Sequence, residues 1–108
     1  MSFEDKQLVQ ILGKLTDAGV LQRSRDKWSP AKDFDLLVRS KILHKFKLPK
    51  HGSGQEIVLD SIVESLGEYG VLSDEPTLED AIMVNVVLSF AKDDLFAALI
   101  QIKEEKQC

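Results

Sequence analysis

Two stretches of this chain carry the same apolar spacing and end in the same way. Leu8-x2-Ile-Leu-x2-Leu15-x3-Gly-Val-Leu21 matches Leu59-x2-Ile-Val-x2-Leu66-x3-Gly-Val-Leu72 at a constant offset of 51 residues. Apolar side chains at this spacing line one side of a helix. A glycine followed by an apolar residue marks a helix end at which the glycine turns left-handed and the next side chain folds back on the last turn. Pro30 and Pro76 fall in corresponding places after the two stops, with the second connection shorter. The chain therefore reads either as two tandem helix-turn-helix units plus a closing helix, or as amphipathic helices of one kind that align because they end alike. Either way the pattern predicts an all-α fold, a compact bundle of four to five helices in a single domain over residues 1–108.

The boundaries follow from caps and breakers. Ser2 can cap the first helix, with Glu4 and Asp5 in its first turn, and Gly19 ends it. A polar, basic connection runs from Gln22 to Lys27. Trp28-Ser29-Pro30 reads as a second start, with Ser29 as cap and Pro30 at the first helical position. That helix carries Phe34, Leu37, Val38 and Ile42 and cannot pass Pro49, so Phe46-Lys-Leu48 reads as extended. Lys50 to Gly54 is a loop. A third helix from about Gln55 to Glu68 turns Val58, Leu59, Ile62, Val63 and Leu66 to one side. After the turn Ser73-Asp-Glu-Pro76, Thr77 can cap a fourth helix with Asp80 at the capping-box position. From Leu78 to Phe90 that segment is apolar on nearly every side, which predicts an element buried all round. Residues 82–88 would be its centre, and their β-branched side chains leave a strand as the alternative. Asp93 and Asp94 then open a last helix from Leu95 to about Lys106.

Composition excludes some classes. With 44% hydrophobic and 30% charged residues the chain suits a folded domain rather than a disordered one. The lone cysteine, Cys108, allows no intramolecular disulfide and no thiol-paired metal site. The opening Met-Ser-Phe-Glu-Asp-Lys lacks a signal-peptide pattern and no apolar run approaches the ~20 residues of a membrane span, so a cytoplasmic location is expected. The two histidines, His44 and His51, are too few for a zinc site, no serine stands in a nucleophile elbow, and Gly52-Ser53-Gly54 is too short for a phosphate loop. An enzyme is not expected, nor any cofactor or metal.

Charge is the informative quantity. The net charge is −4, yet residues 1–54 hold 11 Lys/Arg against 6 Asp/Glu and residues 55–108 hold 3 against 12. Within the acidic half, Glu56, Asp60, Glu64 and Glu68 stand four apart and form one row on a helix, with no cation between them. Like charges at this spacing repel by roughly 0.2–0.5 kcal/mol per pair. Solvation, a basic neighbour in the fold or a basic partner must account for the row. If the halves pack together, Lys41, Lys45 or Lys47 should reach it. Asp35 and Arg39 have the spacing of a helical ion pair, Asn85 in the apolar helix would need buried hydrogen-bond partners, and Trp28 suits an anchor over a helix end.

These features lead to a binding protein. Clustered carboxylates on a small domain draw in a cationic partner and speed its association. In size, acidity and helicity the chain resembles small immunity proteins that neutralise nuclease toxins, a resemblance carried by no motif. It implies that Glu56, Asp60, Glu64 and Glu68, supported by Asp74, Glu75, Glu79 and Asp80, contact a basic protein. An adaptor or assembly subunit would show the same pattern. The runner-up is a nucleic-acid-binding helical domain that uses the basic segment 39–50, with Arg23, Arg25 and Lys27 adding to it. The first helix, its Gly-Val-Leu stop and the basic stretch after it resemble the opening of winged-helix domains. The third helix and β-hairpin wing of that family do not stand out in the pattern, and a pI of about 5.1 weighs against a polyanionic ligand.

Overall fold

The computed structural model describes residues 5–25, 27–48 and 53–107. In chain order these form α1 (Asp5–Asp17), a hairpin of β1 (Leu21–Ser24) and β2 (Lys27–Pro30), α2 (Lys32–Phe46), α3 (Gly54–Glu68) and α4 (Leu78–Gln107). The fold is mostly helical, with one small antiparallel sheet that the all-α expectation lacked.

The two matching stops have the same geometry. Gly19 has φ +87° and Gly70 φ +74°. Val20 N–H donates to Leu15 O at 2.9 Å and Gly19 N–H to Thr16 O at 3.1 Å; Val71 N–H donates to Leu66 O at 3.3 Å and Gly70 N–H to Gly67 O at 3.1 Å. This is the Schellman pattern, and it recurs at the 51-residue offset. Tyr69 links the two stops. Its ring meets Phe34 of α2 edge-on, centroids 5.3 Å apart, and a Cβ on Gly19 would lie 3.7 Å from its Cε2.

After the stops the two units diverge. The polar stretch expected as a connection is the hairpin, in register Leu21↔Pro30, Gln22↔Ser29, Arg23↔Trp28 and Ser24↔Lys27. Arg25, at φ 58°, supplies the left-handed turn. Ser29 and Pro30 do not start a helix. They end a strand, where a residue without an N–H is tolerated, and Ala31 precedes α2 with no side-chain cap. Trp28 is half-buried on β2, with the Arg23 guanidinium 4.7 Å from its ring centroid.

The capping box at the start of α4 is as expected: Asp80 N–H donates to Thr77 Oγ1 at 3.1 Å, and Thr77 N–H to Asp80 Oδ2 at 3.2 Å. Ser53 likewise caps α3, accepting from Glu56 N–H at 3.3 Å. The Ser2 cap lies outside the described residues. The two last expected helices are one. No glycine or proline interrupts residues 78–107, and Met83, Val87, Ala91, Leu95 and Leu99 continue one buried i,i+4 line through Asp93 and Asp94. Residues 82–88 are helix, and they are not buried all round. Ile82, Met83, Val86 and Val87 are in the core, Val84 and Leu88 are half-buried, and Asn85 is exposed, donating to Ala81 O at 2.9 Å.

The face that α3 buries is turned about a quarter of a revolution from the expected one. Ile57, Val58, Ile62 and Leu66 go inside, together with Ser61 and Ser65, each 0% exposed. Leu59 and Val63 remain outside at 37% and 38% exposure. The serine hydroxyls donate to the carbonyls of Ile57 and Ser61, both at 2.7 Å, so neither polar group is orphaned. Small, self-satisfied side chains can sit against the neighbouring helix where bulky ones would hold it off. That rotation decides what the surface offers.

Candidate partner-binding surface

The acidic row drifts around α3, because four residues advance a helix by slightly more than one turn. Its C-terminal half comes round to α2, which runs antiparallel beside it. Lys41 Nζ lies 2.8 Å from Glu68 Oε2, and Lys45 Nζ 2.6 Å from Glu64 Oε2. In this register the next turn of α3, at Asp60, runs past the end of α2 at Phe46. Asp60 and Glu56 are exposed, and among the described residues neither enters an ion pair. The row is thus divided between an inner half tied to the protein's own basic helix and an outer half turned to solvent.

The Lys41–Glu68 tie has an electrostatic signature. The hydrogen bond to Glu68 raises the Lys41 pKa above its ordinary 10.5, outweighing the opposite effect of burial, and the charges of Glu68 and Glu64 add to the rise.

The four supporting acids separate in the same way. Glu79 pairs with Lys14 of α1 at 3.1 Å on the surface. Asp80 is 8% exposed, and its carboxylate also accepts from Ser73 N–H, 3.2 Å from each oxygen, so it pins the turn before α4. Asp74 and Glu75 are exposed within that turn and, among the described residues, make no ion pair. Of eight candidates, Glu56, Asp60, Asp74 and Glu75 are exposed and have no ion-pair partner among the described residues, two near the start of α3 and two beyond its end.

The basic segment is largely engaged. Lys41 and Lys45 serve α3, and Arg39 Nε pairs with Asp35 Oδ2 at 2.8 Å as its spacing implied. His44 and Lys47 are exposed, while Lys50 and His51 lie outside the described residues. Among the described residues no three His, Cys, Asp or Glu side chains group as metal ligands, and no helix is long and apolar enough to cross a membrane.

What the pattern did not show is apolar. The rotation of α3 sets Leu59 and Val63 along a groove against α4, facing Val84, Leu88 and Phe96. The buried serines were the available signal, since two serines four apart on an otherwise apolar side mark a close helix contact. Compared with known proteins, no family model, no curated sequence and no solved structure matches this chain.

Proposed function

We propose that this chain is a protein-binding module that engages a basic protein through the outer half of the acidic row, as an immunity-type inhibitor would cover the active site of a cationic nuclease toxin. The reading includes a cytoplasmic location and a stoichiometric, non-catalytic role. One observation carries it: Glu56 and Asp60 stand exposed without a counter-ion among the described residues, on a helix whose other acids have one. A pair of like charges left unpaired costs a little stability, and binding a cation recovers it. Asp74 and Glu75 extend the negative field beyond the far end of α3. Glu64, Glu68 and Glu79 contribute charge through pairs that are already satisfied, and Asp80 acts through the turn it holds. An adaptor or assembly subunit would use the same face.

The test is the association rate with a cationic nuclease encoded beside this chain. Reversing Glu56 and Asp60 to Lys should slow association by about 10–10³-fold and flatten its dependence on salt. An unchanged rate with unchanged salt dependence refutes the reading, and the lack of any cationic protein in the neighbouring frames removes its immunity part.

A second reading has its own observation. The hairpin carries Arg23, Arg25 and Lys27, all exposed, beside the half-buried Trp28. These cations, rather than residues 39–50, would meet a nucleic acid. Retention of RNA or DNA at low salt that is lost in Arg25→Glu/Lys27→Glu supports it, and no retention ends it.

A further inference from the structure

We infer that the groove between α3 and α4 receives an amphipathic helix of the partner, its apolar stripe in the groove and a Lys/Arg edge lying over Glu56 and Asp60. This rests on the reading of a basic protein partner and adds the shape of what binds.

Two depressions lie between α3 and α4. One, of about 230 Å³, is lined by Gln55, Leu59, Leu88, Lys92 and Phe96. The other, of about 240 Å³, is lined by Val63, Leu72, Pro76, Ala81 and Val84 among others. Leu59 and Val63 are one turn apart on α3, as are Leu88 and Val84 on α4, so the two depressions lie at successive turns of one α3–α4 seam. Each falls short of the roughly 300–1,000 Å³ of a small-molecule pocket. Each is of a size to take one apolar side chain. Two such seats about one helical turn apart match anchors at i and i+4 of a helix lying in a groove.

Charge selects the occupant. On the surface of α3, Glu56 neighbours Leu59 and Asp60, and Asp60 neighbours Val63, at i,i+3 and i,i+4. Glu56 and Asp60, which have no counter-ion among the described residues, therefore form the rim of the groove on its α3 side. Lys92 is the cation on the α4 side, exposed at the Phe96 end. A helix seated here meets opposite signs along its two edges, which fixes its orientation as well as its net charge. Lysine or arginine belongs over α3, and a polar or acidic residue near Lys92.

The experiment uses the whole chain, isotope-labelled, with two synthetic peptides. One is an amphipathic helix with a leucine stripe and a lysine edge; the other is its scrambled isomer of identical composition. The helical peptide should bind about tenfold more tightly than the isomer, with NMR shifts centred on Leu59, Val63, Leu88 and Phe96. Leu59→Ser should remove that preference, Glu56→Lys/Asp60→Lys should weaken both peptides, and Lys92→Glu should strengthen the helical one. Leu59 is more than a third exposed, and a melting curve for each variant shows that its fold is retained. Equal binding of both peptides, sensitive only to the carboxylates, overturns the groove and leaves the basic-partner reading standing. Absent binding overturns the groove, as do shifts on another face or a homodimer that occupies Leu59 and Leu88. The nuclease association rate judges the wider reading separately.

Discussion

The inner and outer halves of the acidic row are chemically alike, four carboxylates at one spacing on one helix, yet they have opposite situations. Glu64 and Glu68 face lysines that are 23% and 24% exposed, with their aliphatic stems against the protein and their charges reaching out to the acids. Glu56 and Asp60 stand on the next turns, past the point where α2 ends. A carboxylate's spacing in the sequence says which face of its own helix it shares. The length and register of the neighbouring helix say whether it is already neutralised. The inner half thus belongs to the α2–α3 contact, and the outer half is what remains for something else.

The largest test asks whether the halves differ in charge alone. Ile57 lies under the outer half and Leu66 under the inner half, 3% and 0% exposed. If both stand on an equally solid floor, Ile57→Ala and Leu66→Ala should each cost about 2–5 kcal/mol in denaturant unfolding, with unchanged m-values. A much smaller cost at Ile57 would mean that the outer half rests on a looser turn, and its unpaired charges would then reflect mobility rather than a reserved surface.

A smaller effect addresses the pairing itself. A double-mutant cycle between Lys45 and Glu64 should give a coupling of about 0.2–1 kcal/mol, which high salt reduces, because the carboxylate is half exposed. The same cycle between Lys45 and Asp60 should give close to zero. Equal couplings would erase the division of the row, showing one diffuse field in place of two distinct halves.

Much of this arrangement was legible beforehand, and the misses have physical causes. The Schellman stops at Gly19 and Gly70, the Thr77–Asp80 box and the Asp35–Arg39 pair are local motifs whose partners lie within a few residues, so spacing alone reveals them. The hairpin was hidden because its turn uses Arg25 where a glycine or asparagine would advertise a left-handed residue, and because Ser29-Pro30 suits a helix start as well as a strand end. Asp93 and Asp94 resemble the opening of a new helix only when the buried line from Met83 to Leu99 is not followed through them. At the candidate site, the eight acids were legible as a charged half. Which of them were spoken for was not, since that depended on the α2–α3 register. The groove was missed for a related reason: hydrophobicity groups Leu59 and Val63 with Val58, Ile62 and Leu66 on one side of α3, whereas Ile57 and two serines join the buried face in their stead.

The smallest effect is a pH dependence confined to the inner half. The Lys41 pKa is raised in the folded protein by its hydrogen bond to Glu68, so the folded state holds that proton more tightly than the unfolded chain does. Stability from this linkage is present in full below the unfolded value and is lost as pH rises through the folded one. The loss therefore begins near the ordinary lysine value of 10.5 and continues above it, while the neutral range is flat with respect to this group. Lys41→Met should remove that part of the alkaline decline, leaving a shallower stability curve above pH 10.5 than the parent's. Other groups also titrate in that range, so the informative quantity is the difference between the two curves. Asp60→Asn provides the comparison from the outer half, where no lysine partner exists among the described residues, and its alkaline limb should coincide with the parent's. Superimposable limbs for the parent and Lys41→Met would mean that the Lys41–Glu68 contact does not persist in solution. Glu68 would then be as open to a partner as the outer half and would join Glu56 and Asp60 as a candidate for the binding face, with Glu64 still held by Lys45.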